Sequence, residues 1–125
     1  MYKFFIITGS LSGMLSVMIG AFGAHALKST LEATNRLTTF ETAVKYQFYH
    51  SLALILLGLL MIQFQHKAFT ISGYGFIIGI LIFSGSLYAL SLTGYTKLGA
   101  ITPLGGLAFI IGWAAFAWGS MKSLH

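Results

Sequence analysis

Tyr46, Gln47 and His50 fall within one short stretch, and on a helix their spacings of four and three place all three on one face. An imidazole beside an amide and a phenol can ligate a metal, relay a proton or seat a small polar solute. His25, Tyr88, Thr93 and Thr102 are expected to join them as a polar pocket, because the turns between apolar runs bring all four to the same side. His25 and His50 with Glu41 make a conceivable divalent-metal set, yet no H-x-x-x-H or H-E-x-x-H pairing supports one. A serine nucleophile would need a G-x-S-x-G elbow or an S-x-x-K motif, and neither occurs. The only side-chain carboxylates, Glu32 and Glu41, exclude a glycosidase-type acid pair. No catalytic, cofactor or metal site is therefore expected.

What positions these residues is a set of apolar runs. Phe4–Ala26, Ile71–Leu92 and Leu104–Met121 are each near the ~20 residues that span a bilayer. The run Ser51–Phe64 is not: its fourteen residues reach only about 21 Å against roughly 30 Å of hydrocarbon. To span, it must extend backwards through Lys45–His50, which draws Gln47 and His50 below the membrane surface. Polar groups are costly there and usually have a reason to be present. The sequence predicts an all-α polytopic membrane protein, residues 1–125 as one domain, with helices over 4–26, 39–64, 70–93 and 103–121. Leu37, Phe40, Val44 and Phe48 share a face, so the approach to the second span reads as amphipathic.

Composition agrees. Hydrophobic residues make up 57% of the chain and charged residues 7%, where a soluble domain carries about a quarter charged. There is no cysteine, which excludes disulfides and thiolate sites. The net charge of +5 is scattered beside the apolar runs, as interface anchors rather than as a nucleic-acid face. The lipid bilayer is the expected partner and nucleic acid is not. Lys3 and Ala24-His25-Ala26 imitate a signal peptide, but the first run exceeds the ~7–15 residues of a signal core, so a retained span is expected.

Small residues recur in phase. Gly9, Gly13, Ser16, Gly20 and Gly23 form one stripe on the first span, and Gly105, Ala108, Gly112, Ala115 and Gly119 another on the fourth. Ser72, Gly75, Gly79, Ser86 and Ala89 nearly make a third, interrupted at Ile82. Lipid offers no hydrophobic drive between helices, so close approach along such seams supplies much of the packing energy. A seam left facing lipid would invite a second copy. Thr102-Pro103 is a natural helix start, with the hydroxyl as cap and proline in the first turn.

The segments Gly20–His25, Thr42–His50, Phe83–Tyr88 and Ile101–Gly106, in this order, resemble those of a family of small four-helix membrane proteins related to eukaryotic transmembrane protein 256. The chain is similar to its uncharacterised bacterial members. The resemblance implies a multi-pass plasma-membrane protein with four helices and no agreed activity, and leans towards cytoplasmic termini. Basic residues alone do not orient the chain: Lys3, Lys67 and Lys122 oppose Lys28, Arg36 and Lys97.

The sequence thus supports an integral membrane bundle that is not an enzyme, with a solute- or partner-binding pocket near His25, Gln47 and His50. A homo-oligomeric transporter or channel component is the rival, weakened because no acidic residue falls inside an apolar run. An embedded enzyme is a further alternative.

Overall fold

In hydrocarbon a spanning segment must satisfy its own backbone hydrogen bonds, and every long apolar run here does so as helix. The computed structural model describes residues Met1–His125. In order they form α1 (Tyr2–Ala24), α2 (Lys28–Ala33), α3 (Leu37–Met61), α4 (Lys67–Gly79), a π-helical turn (Ile80–Ser84), α5 (Gly85–Thr93), a 3-10 turn (Thr96–Ala100) and α6 (Thr102–Ser123). Four spans result: α1, α3, the α4–α5 rod, and α6 with its preceding turn. Each lies within a few residues of the run that predicted it.

The short second span solves its length problem by starting early, at Leu37, so that α3 has 25 residues. It is also the most enclosed. Burial covers 39% of its hydrophobic window, against 17% for α1 and for α6. Gln47, His50 and Ser51 therefore face protein instead of lipid. Its inward stripe runs Phe40, Ala43, Gln47, His50, Ser51, Leu54, Leu57 and Gly58. Phe48 points outward, so the expected Phe40–Val44–Phe48 face is displaced by about one residue.

Two antiparallel pairs make the bundle, α1 on α3 and α4 on α6, and α3 joins them through α4, the π turn and α5. All three small-residue seams are consumed inside the chain. Phe69, Phe76 and Phe83, seven residues apart, seat on Gly119, Gly112 and Gly105, also seven apart. Phe109 returns the contact by lying on Gly79. On the other pair, Phe40 covers Gly23, Val44 covers Gly20, and Ser51 lies over Gly9 and Gly13. The result is a knob-into-hole packing in which the holes are missing side chains.

Two ends are set by left-handed residues. Asn35 (φ 56°) follows α2, with Arg36 donating its backbone N–H to Leu31 and Asn35 to Glu32, the paired bonds of a Schellman motif. Gly94 (φ 78°) closes α5, and the Arg36 guanidinium packs over it. Thr102 does not cap α6. The helix already includes it, with Ile101 in the cap position, and the hydroxyl is engaged elsewhere.

Candidate functional site

Gln47 is the centre of a network between three spans. Its Nε2 donates to the Ser12 carbonyl at 3.0 Å and meets the Ser12 hydroxyl at 3.3 Å, while its Oε1 accepts from the Tyr88 hydroxyl at 2.6 Å. A backbone carbonyl only accepts, which fixes the orientation of the amide. Ser51 lies 2.7 Å from the Ser12 hydroxyl and 2.6 Å from the Gln47 carbonyl. The π turn makes this possible. One extra residue in the turn advances the following face by roughly 100°. Ser84 then donates to the Ala43 carbonyl at 2.7 Å and Tyr88 reaches Gln47, while Phe83 stays on α6. The seam break at Ile82 falls within that turn.

His50 is held differently. Its Nδ1 lies 2.7 Å from the Tyr46 carbonyl, and Trp113 donates its indole N–H to Nε2 at 3.0 Å. A carbonyl can only accept and an indole can only donate. The ring is therefore the neutral Nδ1–H tautomer with both nitrogens occupied. It also stacks on Phe109, centroids 3.5 Å apart and planes 9° from parallel. Binding a metal or a second proton at Nε2 would require Trp113 to leave.

The expected pocket divides. Gln47 and Tyr88 meet directly. Tyr46 contributes its carbonyl to His50, while its ring packs on Phe83 at 4.6 Å. Thr102 bonds to Ser86 at 2.6 Å. Thr93 is exposed and donates to Ala89 at the end of α5. His25 is exposed at the C-cap of α1 and makes no side-chain hydrogen bond. The reason is depth: Gly23 lies level with Phe40, and from there to His50 is ten residues of helix, about 15 Å. His25 and His50 do not share a site. Nor do any three His, Asp or Glu side chains gather where they could hold one metal ion.

Ser12, Ser51 and Trp113 complete the two networks and were not singled out from the sequence. Ser12 adjoins Gly13 of a seam and reads there as one more small packing residue. A tryptophan N–H inside a span needs an acceptor, which was the available sign for Trp113.

Beside Gln47 the helices part. A cleft of about 290 Å³ separates α1 from the end of α4 and the π turn, with Leu11 and Leu15 on one wall and Ile77, Ile80 and Leu81 on the other. Ser12, Gln47 and Thr8 supply its polar groups. The Thr8 hydroxyl has no hydrogen-bond partner in the chain. The cleft does not reach His50.

Sequence comparison places this arrangement among relatives. A family described as a protein of unknown function, DUF423, matches residues 19–106. The chain belongs to this family. A UPF0382 membrane protein of Staphylococcus saprophyticus is 43% identical over 122 residues, covering 96% of this chain and 98% of the relative. The UPF0382 membrane protein YwdK of Bacillus subtilis is 42% identical, covering 98% and 99%. The UPF0382 inner membrane protein YgdD of Escherichia coli is 35% identical, covering 96% and 91%. These bear out the uncharacterised bacterial membrane family and say nothing of a eukaryotic branch. No solved structure matches. The chain is thus an integral membrane protein of a DUF423 type, and Gln47, His50 and Tyr88 fall inside the matched stretch whereas Thr8, Ser12 and Trp113 fall outside it.

Proposed function

We propose that the bundle is a non-catalytic binding module that takes a neutral amphiphile sideways from the bilayer into the cleft between α1 and the π turn. The observation that carries this is the placement of Gln47 and the unpartnered Thr8 hydroxyl on the polar side of an otherwise apolar cleft. Oε1 of Gln47 keeps one lone pair beyond Tyr88, and the Thr8 hydroxyl can donate or accept. A hydroxyl or carbonyl on a long hydrocarbon matches that pair. Ser12 and Gln47 sit near the middles of α1 and α3, where a charged headgroup is disfavoured.

A non-enzymatic reading draws support from the hydroxyls around the core. Ser51, Ser72 and Ser84 each reach a backbone carbonyl, and none pairs with a histidine. The proposed setting is the bacterial plasma membrane with cytoplasmic termini; the Escherichia coli relative, an inner membrane protein by name, supports the first part. Homo-oligomerisation would have to use the outer apolar faces of the spans, since the seams are filled.

The test is photolabelling with a diazirine-bearing long-chain alcohol in membranes containing the full chain. Labelling concentrated on Leu11, Leu15, Ile77 and Leu81, and reduced severalfold by Gln47→Leu and Thr8→Val, is the expected result. Uniform labelling of all lipid-facing residues, unchanged in both variants, would overturn it.

A further inference from the structure

A second cavity lies at the other chemical extreme. It has a volume of about 570 Å³ and sits where the start of α1 meets the turn from α3 into α4. That size is within the ~300–1,000 Å³ of small-ligand sites. Its polar lining is Tyr2, Gln65, His66, Lys67 and Thr70. His66 caps α4, its Nδ1 accepting the Ala68 backbone N–H at 3.0 Å. A neutral ring that accepts at Nδ1 must carry its hydrogen on Nε2, so His66 offers a donor with no partner in the chain. The side chains of Tyr2, Gln65 and Lys67, which are exposed at the mouth of this depression, and of half-buried Thr70 likewise make no hydrogen bond within the protein. Five unpartnered donor side chains, one of them cationic, therefore line one space.

The charge distribution narrows the ligand. Lys3, Lys67 and Lys122 are the charged side chains at this end of the bundle, whereas Glu32 and Glu41 lie at the opposite end, on α2 and the first turns of α3. No side-chain carboxylate competes for the donors. The Gln65–Lys67 turn joins the end of one span to the start of the next, which puts it at the level of lipid phosphates.

We propose that this cavity binds a phosphate group, carried by an anionic phospholipid or by a small phosphorylated solute. It is independent of the cleft at Gln47.

Native mass spectrometry of the full chain tests the proposal, with dioleoylphosphatidylglycerol or dioleoylphosphatidylcholine, each with and without inorganic phosphate. The expected result is selective retention of phosphatidylglycerol or of phosphate. Lys67→Gln should weaken it about fivefold, the worth of one lysine near an anionic surface. His66→Asp keeps a capping acceptor, removes the Nε2 donor and adds a negative charge, so retention should be lost while helicity by circular dichroism is kept. Lys122→Gln should change nothing. Displacement of the lipid by inorganic phosphate assigns the site to free phosphate, and resistance to it assigns the site to lipid. No retention of either anion over phosphatidylcholine, or an equal loss in Lys122→Gln and Lys67→Gln, would overturn the proposal.

Discussion

Trp113 of α6 and His50 of α3 are joined by a hydrogen bond of 3.0 Å in which the indole donates and the imidazole accepts. The bond ties the two antiparallel helix pairs together and closes the histidine to ligands. His50, the residue that most invites a functional reading from sequence, is thereby a structural group. The open polar position is three residues earlier, at Gln47.

Trp113→Phe should leave Nε2 of His50 without a donor and destabilise the bundle by about 1–2 kcal/mol. His50→Phe with Trp113→Phe should cost less than the sum of the single changes, since both partners then go together. A double-mutant cycle read by detergent denaturation checks this, with a coupling of about 0.5–2 kcal/mol expected. Zero coupling would show that the bond does not hold the pairs together.

The glycines should not respond alike. A Cβ at Gly105 would overlap the Phe83 backbone, which cannot move aside, so Gly105→Ala should cost about 1–3 kcal/mol or more. At Gly13 the nearest atom would be 3.8 Å away and at Gly85 nothing lies within 4 Å. Alanine there should be neutral or stabilising by up to about 1 kcal/mol, from helix propensity. Denaturation midpoints of the three variants decide it, and equal losses at all three would contradict the seam assignment.

Much of this was legible beforehand, and the failures share a cause. The four spans follow from apolar length, and the seams from glycine phase. Phe69, Phe76 and Phe83 carry no mark of being their partners, because a phenylalanine facing a helix and one facing lipid look the same in an apolar run. The Ile82 interruption was visible as a break in phase, yet a one-residue π insertion has no compositional mark. His25 and His50 group in the sequence because the chain turns between them and brings both to the same side of the membrane. Their separation is a matter of depth along α3, because sharing a side of the membrane does not fix how far into it a residue lies. From the observed start at Leu37, as from the expected one at residue 39, Gln47 and His50 lie near mid-helix, well away from the C-cap of α1.

Gly94→Ala should lose about 1–2 kcal/mol, because its φ of 78° is costly for any residue with a Cβ and the added atom would come within 3.1 Å of the Arg36 guanidinium. Asn35→Gly, at the other left-handed position, should be tolerated. Thermal denaturation in detergent distinguishes the two.

Gln47→Leu should remove the acceptor of Tyr88 and the donor to Ser12 together, destabilising the bundle by about 1–3 kcal/mol. Gln47→Glu, once protonated, can replace both bonds, its O–H donating to the Ser12 carbonyl and its other oxygen accepting from Tyr88. A smaller loss in Glu than in Leu, read by denaturation at a pH where the carboxyl is protonated, is expected, and equal losses would show that these two bonds carry no weight.

The cleft between α1 and the π turn is the centre of the functional reading, and a structure determined in lipid nanodiscs tests it most directly. Ordered, elongated density between Leu11 and Leu15 on one side and Ile77 and Leu81 on the other, with a polar end within hydrogen-bond distance of Gln47 and Thr8, is the result expected. A cleft closed by α1 resting on Ile77 and Leu81, with Thr8 bonded inside the protein, would contradict it.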